Sequence, residues 1–329
     1  MAVLVPGAAA AGGTAFAATV LGGLAPVVGA PVLAIAGGMV FAFIRPPSAR
    51  LRPGLDFVSR YVLQGSVVIL GLGLSLGQVM STGASSLPVM VGTLIAALVV
   101  SRLAGRALGL GSDLKLLIGV GTAICGASAI AATDAVISAD EADVGYSIAT
   151  IFFFNVVAVL FYPFVGHLLG LSQKAFGLWA GTAVNDTSSV VAAASAYGRT
   201  AASYGVVVKL TRTLAIVPIT LAIAAWRGRG AAGTRAPSLR ARAATARKVF
   251  PGFIAGFLLA VAANTAGLVP ASWHHDLADL ATWSITAALA SVGLASNVGH
   301  VRRAGARPLL LGAILWATVG LTSLAFQAA

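Results

Sequence analysis

Charge is scarce in this chain. Of its 329 residues, 9% are Asp, Glu, Lys or Arg, and 58% are hydrophobic. Soluble domains carry about a quarter charged residues, so a soluble globular fold is excluded. Cysteine is nearly absent: the single Cys125 excludes an intramolecular disulfide and a cysteine-based metal site. No charged residue precedes Arg45, so a cleaved signal peptide with a basic start is not expected. The short alternating segments of a membrane β-barrel are missing. So is the glycine-rich loop ending in Lys-Ser/Thr that direct ATP use requires.

What remains is a series of apolar runs long enough to span hydrocarbon. They fall at about 7–24, 26–45, 60–79, 87–108, 115–138, 145–170, 175–197, 204–226, 248–269, 276–298 and 307–327. The expected fold is an all-α polytopic membrane protein with about 9–11 transmembrane segments. The net charge of +12 is carried between the runs: Arg45, Arg50, Arg52 and Arg60; Arg102, Arg106 and Lys115; Arg227 to Lys248; Arg302, Arg303 and Arg307. That is the positive-inside pattern. No basic stretch is interleaved with aromatics, so nucleic acid is not an expected partner. The acid-free stretch from Arg227 to Lys248 reads as a cytoplasmic loop touching anionic lipid heads.

The chain also matches itself. Gly121-Thr122-Ala123-Ile124-Cys125-Gly126-Ala127-Ser128 returns 60 residues later as Gly181-Thr182-Ala183-Val184-Asn185-Asp186-Thr187-Ser188. A second match, offset by 220, pairs Gly73-Leu74 with Gly293-Leu294 and Pro88 with Pro308. It predicts a helix pair with a short polar turn in each copy. The nesting divides the chain into 1–112 (N-terminal helices and a first scaffold pair), 113–227 (a central repeat, 113–170 and 171–227), 228–247 (the basic loop) and 248–329 (C-terminal scaffold).

Segments 115–138 and 175–197 allow two readings. Each is a crossing helix broken at its centre, or a re-entrant hairpin with its tip at Cys125-Gly126-Ala127-Ser128 or Asn185-Asp186-Thr187-Ser188. As hairpins they would enter from opposite faces, because only 145–170 lies between them. The hairpin order is similar in layout to that of the glutamate transporters.

Lys209 and Arg212 lie inside an apolar run, and their i, i+3 spacing puts both on one helix face. Cations at such depth usually face a cavity or a partner. One reading is an anion site; the other is an Arg212–Asp186 ion pair with Lys209 snorkelling to the surface. Asp186, whose counterpart in the first copy is Gly126, is a candidate for ion coupling, or else a structural partner. Gly121, Gly126 and Gly181, with Ser128, Thr187, Ser188 and Ser189, suit unwound backbone whose helix N-termini hold an anion, or close helix packing. Asn155 and Asn297 suit interhelical hydrogen bonds. Trp273-His274-His275-Asp276 suits an interfacial belt better than a metal site. Ser128 with His167 as its base, or Asp134 with Asp186, would be the residues of an intramembrane enzyme. No third orienting group supports the first pair, and no paired motif surrounds the second.

Three strings carry a resemblance: Gly121 through Ser128 continuing as Ala129-Ile130-Ala131-Ala132, Val184-Asn185-Asp186-Thr187-Ser188, and Val208-Lys209-Leu210-Thr211-Arg212. They resemble the YeiH-type proteins of bacterial inner membranes, a family labelled as sulfate exporters, over about residues 30 to 329. The resemblance implies an inverted-repeat transporter related to cation–proton antiporters and anion transporters, in the bacterial cytoplasmic membrane. The expected function is secondary transport of a small oxyanion such as sulfate or a sulfonate. Expected substrate contacts are Arg212, Lys209, Ser128, Gly126, Cys125, Asn185, Thr187 and Ser188, with Asp186 for a coupling proton or sodium ion. No cofactor or metal is expected. Membrane lipids are partners, and a scaffold of this type often forms a homodimer. An anion channel or membrane sensor is the alternative, an enzyme a more distant one.

Overall fold

The computed structural model describes residues 3–24, 29–228, 252–295 and 305–328. The basic stretch from Arg229 to Lys248, together with Asn297, Arg302 and Arg303, lies outside them. Every regular element among the described residues is helical. Six helices are long and apolar enough to cross a membrane: Val5–Gly23, Leu76–Ala107, Glu141–Leu168, Arg199–Trp226, Ala271–Ala295 and Ala306–Ala328. This is an all-α polytopic membrane protein.

In chain order we number α1 (Val5–Leu24), α2 (Ala30–Ile44), α3 (Arg52–Phe57) and α4 (Leu63–Gly71), the last two joined through a π-helical turn at Val58–Val62. Then come α5 (Leu76–Ala107), α6 (Ser112–Ala123), α7 (Ala127–Ile137) and α8 (Glu141–Leu168). They are followed by α9 (Gln173–Ala183), α10 (Thr187–Tyr197), α11 (Arg199–Thr213) and α12 (Ile216–Gly228). The chain closes with α13 (Gly252–Thr265), α14 (His274–Ala295) and α15 (Ala306–Ala328).

The boundary between two of the runs differs from the sequence reading. The polar stretch around Ser81 to Ser86 is not a linker between the runs 60–79 and 87–108. It lies within α5, which starts at a capping box on Ser75 and Gln78. Ser81, Ser85 and Ser86 return their hydroxyls to Gln78, Thr82 and Gly83 carbonyls, so these side chains need no water and the helix runs on through Pro88. Consequently the halves of the 220-residue match are not equivalent in structure. Gly73-Leu74 is the turn before α5, whereas Gly293-Leu294 is helical, and Pro88 is interior to its helix while Pro308 is near the start of α15.

The helices form two packed groups. In the first, α2 and α14 cross closely: a Cβ on Gly38 would come within 2.7 Å of the Ala290 carbonyl, so only glycine fits there. With α1, α3, α4 and α13 they build a panel around Ala11, Ala15, Leu55 and Leu294. In the second, α5 and α15 pack on the helices α6 to α9 around Leu117, Ile130, Phe176 and Trp179. Between the groups runs an apolar seam with Ile35, Leu63, Val67, Val191, Leu210 and Phe257.

Helices α6 and α9 have 12 and 11 residues, about 18 Å of rise or less, which is short of a ~30 Å hydrocarbon core. Each is followed by a helix that doubles back. Gly121 packs on Ile130 across the α6–α7 bend. Likewise, Gln173 Oε1 at the start of α9 accepts the Thr200 N–H at 2.9 Å, beyond the end of α10, and the rings of Phe176 and Tyr197 stack at 3.9 Å. Both pairs are therefore antiparallel hairpins.

Candidate functional site

The hairpin tips meet. Gly126 has φ +71°, and a Cβ there would lie 3.8 Å from the Asn185 backbone and 3.3 Å from Ile151 of α8. At the tip of the α9–α10 hairpin the freed amides find a partner on α8, where Asn155 Oδ1 accepts the N–H groups of Asn185 and Asp186 at 3.1 and 3.3 Å. This is the interhelical role read for Asn155 from the sequence. The Asn185 side-chain oxygen is buried and has no partner among the described residues.

Lys209 and Arg212 stand directly behind the tips, and both are wholly buried. Lys209 Nζ donates to the Ile124 carbonyl at 2.8 Å and to the Val184 carbonyl at 2.9 Å. Arg212 donates from Nε to Ala123 at 2.7 Å, from one terminal nitrogen to Thr122 at 2.8 Å, and from the other to Thr182. These are the last carbonyls of α6 and α9, which have no intrahelical donor and carry the negative pole of each helix. The two cations satisfy both. The expected alternative, an Arg212–Asp186 pair with a snorkelling Lys209, is thus replaced by carbonyl bonds. The salt bridges among the described residues involve neither cation. The reason is geometric: the i, i+3 spacing presents both side chains to the hairpin crossing, where free acceptors are concentrated.

On the other side of the tips the helix N-termini face a cavity of about 430 Å³. Cys125, Ser128, Asp186, Thr187, Ser188 and Thr213 line it from the hairpin group, and Ser59, Arg60, Gln64 and Phe253 from the panel. The two N-termini are chemically unequal. Asp186 caps α10, accepting N–H bonds from Ser188 and Ser189 at 3.0 and 3.3 Å and the Ser188 hydroxyl. Gly126 offers α7 no side-chain cap, so its positive pole stays open beside Ser128. Of the expected contacts, Ser128, Cys125, Thr187 and Ser188 share the cavity wall, together with Asp186, the candidate for ion coupling. Gly126 and Asn185 form the tips behind it, while Lys209 and Arg212 lie deeper.

Arg60 and Gln64 escaped the sequence reading. Arg60 looked like one of the basic residues flanking a span, yet the helix begins eight residues earlier, at Arg52. The surplus of Arg over acid before that run was a signal. The Trp273-His274-His275-Asp276 string forms a short 3-10 turn and the start of α14. There His274 Nε2 bonds the Asn264 amide oxygen at 3.0 Å. No cluster of metal-binding side chains occurs among the described residues.

The family described as Conserved hypothetical protein 698 matches residues 6–312. A UPF0324 membrane protein of Streptococcus pyogenes serotype M6 is 42% identical, over 93% of this chain and 91% of its own. One from Streptococcus pneumoniae serotype 4 is 44% identical over the same shares. One from Fusobacterium nucleatum is 38% identical over 93% and 92%. The chain belongs to the UPF0324 family of membrane proteins. The YeiH-type proteins are the same family. As a UPF0324 protein it is a multi-pass membrane protein, and the relatives are described by that location alone.

Proposed function

We propose that this UPF0324 protein is a secondary transporter of a small oxyanion, sulfate or a sulfonate, working by alternating access. In this reading the hairpins are re-entrant and form an inverted repeat, one entering from each face of the cytoplasmic membrane. Transporters of this kind bind substrate where broken helices from two repeats meet.

The observation that carries the proposal is the shared cavity at the crossing. An open helix N-terminus, the Ser128, Thr187 and Ser188 hydroxyls and the Arg60 guanidinium surround one space. Such groups bind anions through N–H and O–H donors and a positive dipole end. Arg212 adds a buried guanidinium behind the tips, which disfavours a cationic substrate. The volume is within the roughly 300–1,000 Å³ of small-molecule sites. Because the cavity is walled by both helix groups, sliding one past the other changes its access. Arg60 and Phe253 lie near the helix ends that adjoin the basic stretches, so in this reading the positive-inside pattern makes the cavity an inward-facing one.

An enzyme reading is less supported. His167 lies 16 residues beyond Ile151 along α8, about 24 Å of rise, whereas Ser128 is near the tip that touches Ile151. The test is counterflow of radiolabelled sulfate in proteoliposomes, with sulfonates and carboxylates as competitors. Saturable exchange supports the transporter. Non-saturable flux would favour a channel, and no flux with any of these anions would reject the reading.

A further inference from the structure

Transporters built from broken helices use unwound carbonyls and half-helix C-termini to hold coupling sodium ions. Here the carbonyls of Thr122, Ala123, Ile124, Thr182 and Val184 converge behind the tips, and all five accept from Lys209 or Arg212. We infer that these side chains occupy the place of a coupling sodium ion, so that the protein carries its cation covalently and holds no free sodium ion at the crossing.

Three features converge on this. The ammonium of Lys209 bridges one carbonyl from each hairpin, at 2.8 and 2.9 Å, as a shared metal ion would. Both side chains are wholly buried, and their donors are spent on these carbonyls, as buried polar groups require. Both come from one face of α11, which lies outside either hairpin, so the positive charge stays when substrate leaves. The carbonyls are then filled without a sodium ion entering first, and the buried Arg212 guanidinium suits the crossing to an anion. The inference rests on the transporter reading only in treating the cluster as a coupling site.

The test reads occupancy rather than transport. Purified protein in detergent is melted in sodium chloride and in choline chloride at equal ionic strength, and binding of radiolabelled sodium is measured. Three forms are compared: wild type, Lys209→Ala, which leaves room for an ion, and Lys209→Met, whose stem fills the space without charge. The wild type is expected to melt within about 1 °C in the two salts and to bind no sodium saturably. Lys209→Ala is expected to melt lower in choline and to recover at least about 3 °C in sodium. Lys209→Met is expected to melt lower in both salts and to ignore sodium. A purely structural lysine would make both variants equally indifferent. Saturable sodium binding by the wild type overturns the inference. So does a Lys209→Ala protein that is unfolded in both salts or unmoved by sodium. A failure of sulfate exchange leaves all these outcomes unchanged, so the two readings fail separately.

Discussion

Gln173 and Thr200 are 27 residues apart, and the Gln173 side-chain oxygen accepts the Thr200 N–H at 2.9 Å. A chain that crossed a bilayer between them would separate them by about 30 Å. The bond therefore sets the orientation of everything from α9 onward. With the first hairpin doubling back in the same way, Glu141 and Lys174 are expected on opposite membrane faces. In a Cys125→Ser background, Glu141→Cys should react with an impermeant thiol reagent only from the cytoplasmic side, and Lys174→Cys only from outside. Labelling of position 141 from outside would reverse the topology.

Arg212 donates three hydrogen bonds at the crossing, to carbonyls of both hairpins. Its replacement by Met strands three buried carbonyl acceptors, and an unsatisfied buried polar group costs about 1–3 kcal/mol. We expect Arg212→Met to lose roughly 3 kcal/mol or more, read as a large drop in Tm in detergent, and to abolish exchange. Arg212→Lys should recover part of the stability, because one ammonium cannot reproduce the fork of the guanidinium. A wild-type melting curve for Arg212→Met would remove Arg212 from its place as the clamp of the two hairpins.

Gly126 is held at φ +71°, where a side chain is strained, and its neighbours Ile151 and Asn185 leave little room. Gly126→Ala should cost about 1–3 kcal/mol and part the tips. Exchange should fall by more than the loss in folded protein, measured by sulfate counterflow normalised to the monodisperse fraction. Gly145→Ala, at a helical position with open space around it, is the control and should be silent.

Sequence periodicity and composition made the membrane class legible, because hydrocarbon-length apolar runs follow directly from burial in lipid. The breaks at Cys125-Gly126 and Asn185-Asp186 were visible too, since glycine and hydroxyl side chains are what unwound backbone needs. The partner of Arg212 was not. A sequence shows that a buried cation requires acceptors, yet it cannot distinguish a carboxylate such as Asp186 from a helix end, and here the helix ends of two distant hairpins supplied them. Arg60 was hidden for a related reason. Its helix starts in polar sequence at Arg52, so hydropathy put the boundary eight residues late and made a cavity residue look like a surface one.

Arg60 now gives a test of the panel wall. It contributes the cavity's positive side chain from the group opposite the hairpins, and it packs on Tyr61 at 5.7 Å from the ring. Arg60→Gln removes the charge and keeps a polar stem at an exposed position, so Tm should change little. If the anion bridges the two groups, half-saturation for exchange should rise roughly tenfold, the equivalent of about 1.4 kcal/mol, with a smaller effect on the maximal rate. Unchanged half-saturation would confine binding to the hairpin side.

Asp186 separates the two roles a carboxylate can have here. As a cap it accepts two backbone N–H groups of α10, and Asn caps about as well as Asp. Asp186→Asn should therefore keep Tm nearly unchanged, whereas Asp186→Ala should lose about 1 kcal/mol. As a charge, however, it would face any anion bound in the same cavity, and its negative field would oppose binding unless a proton accompanied the substrate. If Asp186 carries that proton, Asp186→Asn should retain counterflow with equal pH on both sides but lose uptake driven by a pH gradient. Gradient-driven uptake that survives in Asp186→Asn would leave Asp186 as a cap alone and move the coupling to another group.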